Sequence, residues 1–265
     1  MLVSANIVIY FILTIMPTTS YADRISENIN KYIQLVTDNP KVRHNEFEIL
    51  VNYAALKHSK IILEAPAEGK TLETFFPESI IHRADFVKIT VPGYADECAV
   101  TSWGLSNIKS NFYDAVLSLA PIHHANELQK QDYISGAYLA LKAGGVFAFG
   151  EVEYQSKLHF FLDCFINAYS HTGHVGQYPD AKLCDFFEYQ GFEHVTTEIY
   201  VCQWRFDSAH SLHHYLTALF ALQPLTVSFV MGSVEHYLGI TEKNGELCIN
   251  WPLRFYRGVK PFPSI

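Results

Sequence analysis

The apolar positions of the chain fall first into two helical stripes. Ile29, Tyr32, Ile33 and Val36 recur at i, i+3, i+4 and i+7, and Phe47, Leu50, Val51 and Ala54 repeat the spacing. Two amphipathic helices are predicted, with Asn45 and Glu48 placed to form a capping box on the second. The period then changes. Ile61, Ile62 and Leu63 are a short apolar run that reads as a buried strand ending at Glu64. A turn through Ala65, Pro66 and Gly69 leads to a short helix with Leu72, Phe75 and Phe76 inward, stopped by Pro77. Residues 79–84 predict a second strand ending at Asp85, and a third strand is placed near 98–101.

Residues 113–120 (YDAVLSLA) predict a fourth strand. The helix after it is expected to run to about Ala143, with Ile134, Ala137, Tyr138 and Leu141 on one face and Gly144 and Gly145 as its stop. Residues 146–152 form another apolar strand. Strands alternating with helices predict a parallel sheet covered on both faces. Further helical stripes run through Leu158, Phe161, Leu162 and Phe165, through Leu183, Phe186 and Phe187, through Leu212, Tyr215, Leu216, Leu219 and Phe220, and through Val230, Val234, Tyr237 and Leu238. A strand is expected at 195–202. Leu247, Ile249, Trp251, Leu253 and Phe255 alternate with Cys248, Asn250, Pro252, Arg254 and Tyr256, the period-2 pattern of an antiparallel strand with two unlike faces.

Composition narrows the class. With 265 residues, 49% of them hydrophobic, the chain can bury a sizeable core and is not disordered. A formal net charge of −8 argues against nucleic acid as the partner. The five cysteines are dispersed and form no C-x-x-C pair, which fits reduced, mostly buried thiols and a cytoplasmic location. Residues 1–22 leave an alternative open. They carry an apolar run at 7–16 and the small-residue triplet Ser20, Tyr21, Ala22, so they read either as an export signal or as a segment ahead of a start at Met16. That run is too short to span a membrane, so no stable membrane insertion is expected.

The strings YDAVLSLAPIHH (113–124), LKAGGVFAFGEV (141–152), QGFEHVTTEIYVCQWRFDS (190–208) and INWPLRFYRGVKP (249–261) resemble the class I S-adenosylmethionine-dependent methyltransferases. The likeness extends over about 46–261. It implies a Rossmann-like α/β domain over 23–265. The sheet would have seven strands, mostly parallel with one antiparallel, with helices on both faces and a helical cap at 203–240 inserted after the sixth strand. It implies S-adenosylmethionine as cofactor, across the carboxyl ends of the first strands, where open α/β sheets bind ligands. Glu64 matches the acid that ends the family's first strand, and Ala65, Pro66 and Gly69 stand in its glycine-rich loop. Pro66, Glu68 and Lys70 occupy positions that are often glycine. Asp85 matches the acid that binds the ribose hydroxyls. No acid follows the third strand, so Ser102 and Trp103 are the candidates there, with Trp103 able to stack on adenine. Leu119 and Ala120, ending the fourth strand, complete the expected cofactor contacts.

The implied activity is methyl transfer to a small-molecule acceptor. Methyl transfer is an in-line displacement, assisted by a general base when the acceptor must lose a proton. His123 and His124 follow the fourth strand and are the candidate bases, because imidazole titrates near neutrality. Glu151 and Glu153 read as solvated loop carboxylates or as pocket liners. The loop 171–178 reads as a lid or acceptor loop. The H-x-x-H spacings at His171/His174 and His210/His213 lack cysteine or carboxylate ligands in a known spacing, so no metal site is assigned. Phe160, Phe161, Phe165, Phe186 and Phe187 are read as core. The alternatives are a methyltransferase fold that has lost catalysis through its substituted loop, and an exported α/β binding domain. Oligomeric state and the acceptor stay open.

Overall fold

A computed structural model describes residues 21–56, 59–92, 94 and 97–263. The apolar run and Ser20 lie outside the described residues. Helix α1 (Tyr21–Asp38) is followed by α2 (His44–Ala54), and then the chain enters a sheet. Its strands are β1 (Ile61–Glu64), β2 (Ile80–Asp85), β3 (Cys98–Val100), β4 (Tyr113–Leu119), β5 (Leu141–Glu151), β6 (Glu193–Phe206), β7 (Ile240–Lys243) and β8 (Glu246–Val259). The order across the sheet is β3-β2-β1-β4-β5-β8-β6. β1 to β5 pair in parallel, and β8 runs antiparallel between β5 and β6. This is the seven-strand path expected. The short β7 is an eighth strand, which pairs with the first part of β8 beyond the end of β5.

Alternate residues of the central strands feed two cores. Ala115, Leu117, Val146 and Ala148 face one cluster with α2 residues Phe47 and Leu50, whereas Val116, Phe147 and Phe149 face the other with Tyr133, Ile134 and Phe187. Period-2 side-chain direction thus places helices on both faces. A third cluster packs Ile29 and Ile33 of α1 against Ala67, Val87 and Ile89, laying α1 over the loops that follow β1 and β2. The remaining helices are α3 (Glu127–Ala140), α4 (Lys157–Phe160), α5 (Asn167–Tyr169), α6 (Cys184–Gln190), α7 (Ala209–Phe220) and α8 (Val227–Tyr237). α4 and α5 are the two ends of one rod joined by a π-helical stretch, Phe161–Ile166. α7 and α8 form the helical insertion after the sixth strand. Among the described residues no helix is long and apolar enough to cross a membrane.

Several local expectations are corrected. α3 stops at Ala140, and Leu141 already belongs to β5, so Gly144 and Gly145 lie in the strand rather than at a helix stop. The left-handed backbone at Gly144 (φ +78) fits the glycine, but it serves the irregular start of β5. The Asn45/Glu48 box does not form. α2 starts at His44, and the Asn45 side chain accepts from the Gln203 backbone of β6 instead. The capping box lies on α3, between Asn126 and Gln129. The helix near Leu72 is a 3-10 turn, Thr71–Thr74, and β6 is much longer than 195–202. Phe161, Phe165 and Phe187 are core as expected, but Phe160 is exposed. Of the five unpaired cysteines, Cys202 and Cys248 are buried and Cys164 is exposed.

α3 is locked to the loop after β3 by a close backbone approach. A Cβ on Gly136 would lie 2.4 Å from the Gly104 carbonyl oxygen. Gly136→Ala is therefore expected to destabilise the protein by about 1–3 kcal/mol in urea denaturation; unchanged stability would mean the contact is loose.

Candidate functional site

The carboxyl ends of the parallel strands open into a cavity of about 370 Å³, in the range of small-molecule sites. Asp85, at the end of β2, lines it. Its side chain is 4% exposed, and Oδ1 accepts from the Val87 backbone N–H at 3.1 Å. Burial pushes the Asp85 carboxyl up to about 7, against the pull of that backbone bond. Pro66 and Ala120 also line the cavity, as do His123 and His124.

The other expected cofactor contacts sit behind the wall. Glu64 is fully buried and accepts from Arg83 Nε at 3.1 Å, so it anchors β1 to β2 and does not line the cavity. Burial raises its pKa, and the Arg83 guanidinium pulls it back. Ala65 is buried, and its carbonyl accepts from Tyr133 Oη. Gly69 adopts φ +92, its carbonyl accepts from Arg83 Nε, and a Cβ there would meet Val36 of α1 at 3.2 Å. Its glycine thus serves a turn packed under α1. Trp103 packs on Phe86 with ring centroids 4.0 Å apart, and Ser102 Oγ donates to Ser106. Neither faces the cavity, nor does Leu119.

A charged corner that no sequence pattern marks forms part of the wall. Arg43, just ahead of α2, is 6% exposed and pairs with Glu46 at 2.6 Å and Glu68 at 2.5 Å. The Tyr32 hydroxyl donates to Glu68, and Arg43 donates to the Tyr32 oxygen at 2.5 Å. The guanidinium also lies over the Trp204 ring, 5.6 Å from its centroid. Arg43, Tyr32 and Glu68 all line the cavity. Glu68, one of the residues standing where the family often has glycine, is thus the acid that meets this arginine. No local pattern marks the corner, because its members come from α1, the turn before α2, the β1 loop and β6.

Another part of the wall is built from histidine. Glu151 ends β5, is fully buried, and is no solvated loop carboxylate. Its Oε2 accepts from the backbone N–H of Ile122 at 2.8 Å and of His123 at 3.1 Å. Its Oε1 meets the Val152 N–H at 2.7 Å and His123 Nδ1 at 3.0 Å. A carboxylate only accepts, so His123 donates from Nδ1, and the neutral ring has its lone pair on Nε2. Glu153, by contrast, is paired with Arg254 at 2.9 Å. From the loop 171–178, Thr172, Gly173, His174 and Val175 line the cavity, and the Gln177 N–H donates to the His123 carbonyl. His174 Nδ1 lies 3.5 Å from Asp163 and 3.3 Å from Tyr178 Oη, and Tyr178 donates to Asp163 at 2.6 Å. Burial lowers the pKa of His174, keeping the ring neutral. His171 does not join it; its backbone bonds to Ala221 instead. Trp204 and Trp251 stack at 3.8 Å and, with Leu219 and Phe220 of α7, supply the apolar side.

No protein-family profile matches the chain, and no curated protein sequence does. Solved structures do. The phosphoethanolamine N-methyltransferase 2 of Haemonchus contortus, in complex with S-adenosyl-L-methionine, is 14% identical with a TM-score of 0.58, over 92% of this chain and 60% of that one. A SAM-dependent methyltransferase from Archaeoglobus fulgidus is 14% identical with a TM-score of 0.51, over 86% of this chain and 99% of that one. At such identities the likeness is one of fold, and the fold is that of the class I S-adenosylmethionine-dependent methyltransferases.

The buried corner makes a stability prediction. Arg43→Ala leaves Glu46 and Glu68 buried without their cation, and is expected to cost about 3–5 kcal/mol in urea denaturation. A loss below about 1 kcal/mol would show that water reaches these carboxylates.

Proposed function

We propose that the protein transfers a methyl group from S-adenosylmethionine to a small-molecule acceptor inside the cell. The observation that carries this reading is the cavity at the carboxyl ends of β1, β2 and β4, lined by both the Asp85 carboxylate and the Glu151-held His123. The residues fit the cofactor. Asp85 is a buried acceptor that forms no ion pair among the described residues, suited to a pair of ribose hydroxyls. Pro66 and Ala120 border the same space, and so does Arg43, whose guanidinium is already shared by Glu46 and Glu68. S-adenosylmethionine, when bound, supplies a sulfonium methyl group as the electrophile.

The chain's own part is alignment, desolvation and proton handling. The stacked Trp204 and Trp251 and the end of α7 form the cap that excludes water from the acceptor. His123 Nε2 takes a proton from an acceptor hydroxyl or similar group. Glu151 holds the ring in the required tautomer and stabilises the imidazolium that forms. The loop 171–178, tied to His123 through Gln177, completes the acceptor side. A second reading, a ligand-binding protein on this fold that no longer transfers methyl groups, is favoured by one observation: Glu68 already occupies Arg43.

Calorimetry with S-adenosylhomocysteine separates the two readings. Binding at micromolar concentration is expected, with Asp85→Ala weakening it about 10–100-fold, the loss of one or two charge-assisted hydrogen bonds. Absence of binding at high micromolar concentration overturns the proposal. The affinity also carries a pH signature. Ionised Asp85 accepts the hydroxyl bonds, and its folded pKa stands at about 7 against an ordinary 3.8. Binding is therefore expected to tighten as pH rises through about 7, and Asp85→Asn to flatten the profile. In the ligand-free protein the sign is reversed. The folded state holds this proton longer than the unfolded chain, so stability falls as pH climbs from 3.8 to about 7.

A further inference from the structure

We propose that His123, His124 and His174 together bind a divalent transition-metal ion at the acceptor end of the cavity. The three side chains each offer a ligand nitrogen, and these atoms all lie within 4.8 Å of one another. The rings are close as well: centroids stand 4.2 Å apart for His123 and His124, 4.8 Å for His124 and His174, and 5.5 Å for His123 and His174. A tetrahedral ion with bonds of about 2.0–2.1 Å spaces its ligand nitrogens about 3.4 Å apart. Small side-chain rotations close the difference.

What lies behind the histidines points to the same use. Metal-ligating histidine almost always gives its second ring nitrogen to a carboxylate, carbonyl or water, which sets tautomer and orientation. His123 Nδ1 is held by Glu151 at 3.0 Å, and Glu151 is itself fixed by three backbone N–H groups. His174 Nδ1 is backed by Asp163 at 3.5 Å, and Asp163 is fixed by the Tyr178 hydroxyl at 2.6 Å. Two of the three rings therefore keep Nδ1 occupied and Nε2 available. Asp163 sits in the π-helical stretch Phe161–Ile166, and π-bulges recur at functional sites. All three histidines line the cavity. Three imidazoles without thiolate suit zinc or a neighbouring first-row ion, and three protein ligands leave a coordination position open, as in catalytic sites.

The site also bears on the acceptor, and this part alone rests on the methyl-transfer reading. An open position facing the cavity suits an acceptor that reaches the metal through oxygen, a hydroxyl or carboxylate rather than an apolar group. With the ion in place His123 is a ligand rather than the base, and the metal would lower the pKa of the oxygen it holds, so the acceptor sheds its proton to solvent as it binds, before the cap excludes water.

The test uses the full chain, tag-free and freed of metal by chelator, without S-adenosylmethionine. Cobalt(II) is titrated by its visible absorption and zinc(II) by calorimetry. One tight equivalent per chain is expected, with stoichiometric binding lost in His174→Asn and in His124→Asn. Asp163→Asn, which leaves every ligand in place, should weaken binding about 10–100-fold. Circular dichroism confirms that the variants fold, and Asp163→Asn serves if either histidine variant does not. No stoichiometric binding by the wild type, or affinity unchanged in His174→Asn and in Asp163→Asn, overturns the proposal. S-adenosylhomocysteine binding measured on the same preparation keeps the two readings apart. Metal binding without it leaves the metal site standing and removes the methyl-transfer reading, whereas the reverse removes only the metal site.

Discussion

The Glu151 carboxylate is the group on which the histidine side of the cavity depends. It lies at the end of β5 and takes four hydrogen bonds, three from backbone N–H groups and one from the His123 ring. A buried carboxylate is tolerated only when its lone pairs are occupied. Here that requirement fixes the backbone after β4, the start of the loop after β5 and the tautomer of His123 together. Removing the carboxylate would leave donors of three neighbouring residues unsatisfied. The histidine wall is thus held by the ends of two central strands.

A second part of the wall is organised around Arg43, whose burial is acceptable because Glu46 and Glu68 face it. The cation draws α1, α2, the loop after β1 and β6 to one point through Tyr32, Glu46, Glu68 and Trp204. A glycine at position 68 would leave the arginine more open to a ligand. With glutamate there, the loop trades backbone access for an internal ion pair. The turn keeps its single glycine, Gly69, for a left-handed backbone pressed under α1.

Much of the architecture was legible in local pattern. β1, β4 and β5 stand out as continuous apolar runs because both faces of a central parallel strand are buried, and β8 as an alternating one because its two faces meet different surroundings. The misplaced helix end at Gly144 has a simple cause. Paired glycines signal an irregular backbone, and a strand entry with a register shift needs one as much as a helix stop does. Asp85, Pro66, Ala120, His123 and His124, which the resemblance singled out, line the cavity because they lie at or just beyond strand ends. Glu64, at a strand end too, was drawn inward by Arg83, a partner 19 positions away that pattern does not reveal.

The order and type of the elements, the sheet topology implied by the family resemblance, and the strand-end residues were therefore determined by sequence, since each depends on side-chain periodicity or on a short contiguous string. The identity of the site was not. His174 joins His123 and His124 across some fifty residues, Asp163 and Glu151 orient those rings from two further elements, and Arg43 meets Glu68 from separate segments. Such groups carry no shared period and no fixed spacing. Only the packing of α1, the π-helical stretch and the loop 171–178 onto the carboxyl ends of the sheet brings them within bonding distance, and that packing follows from burial of the whole core.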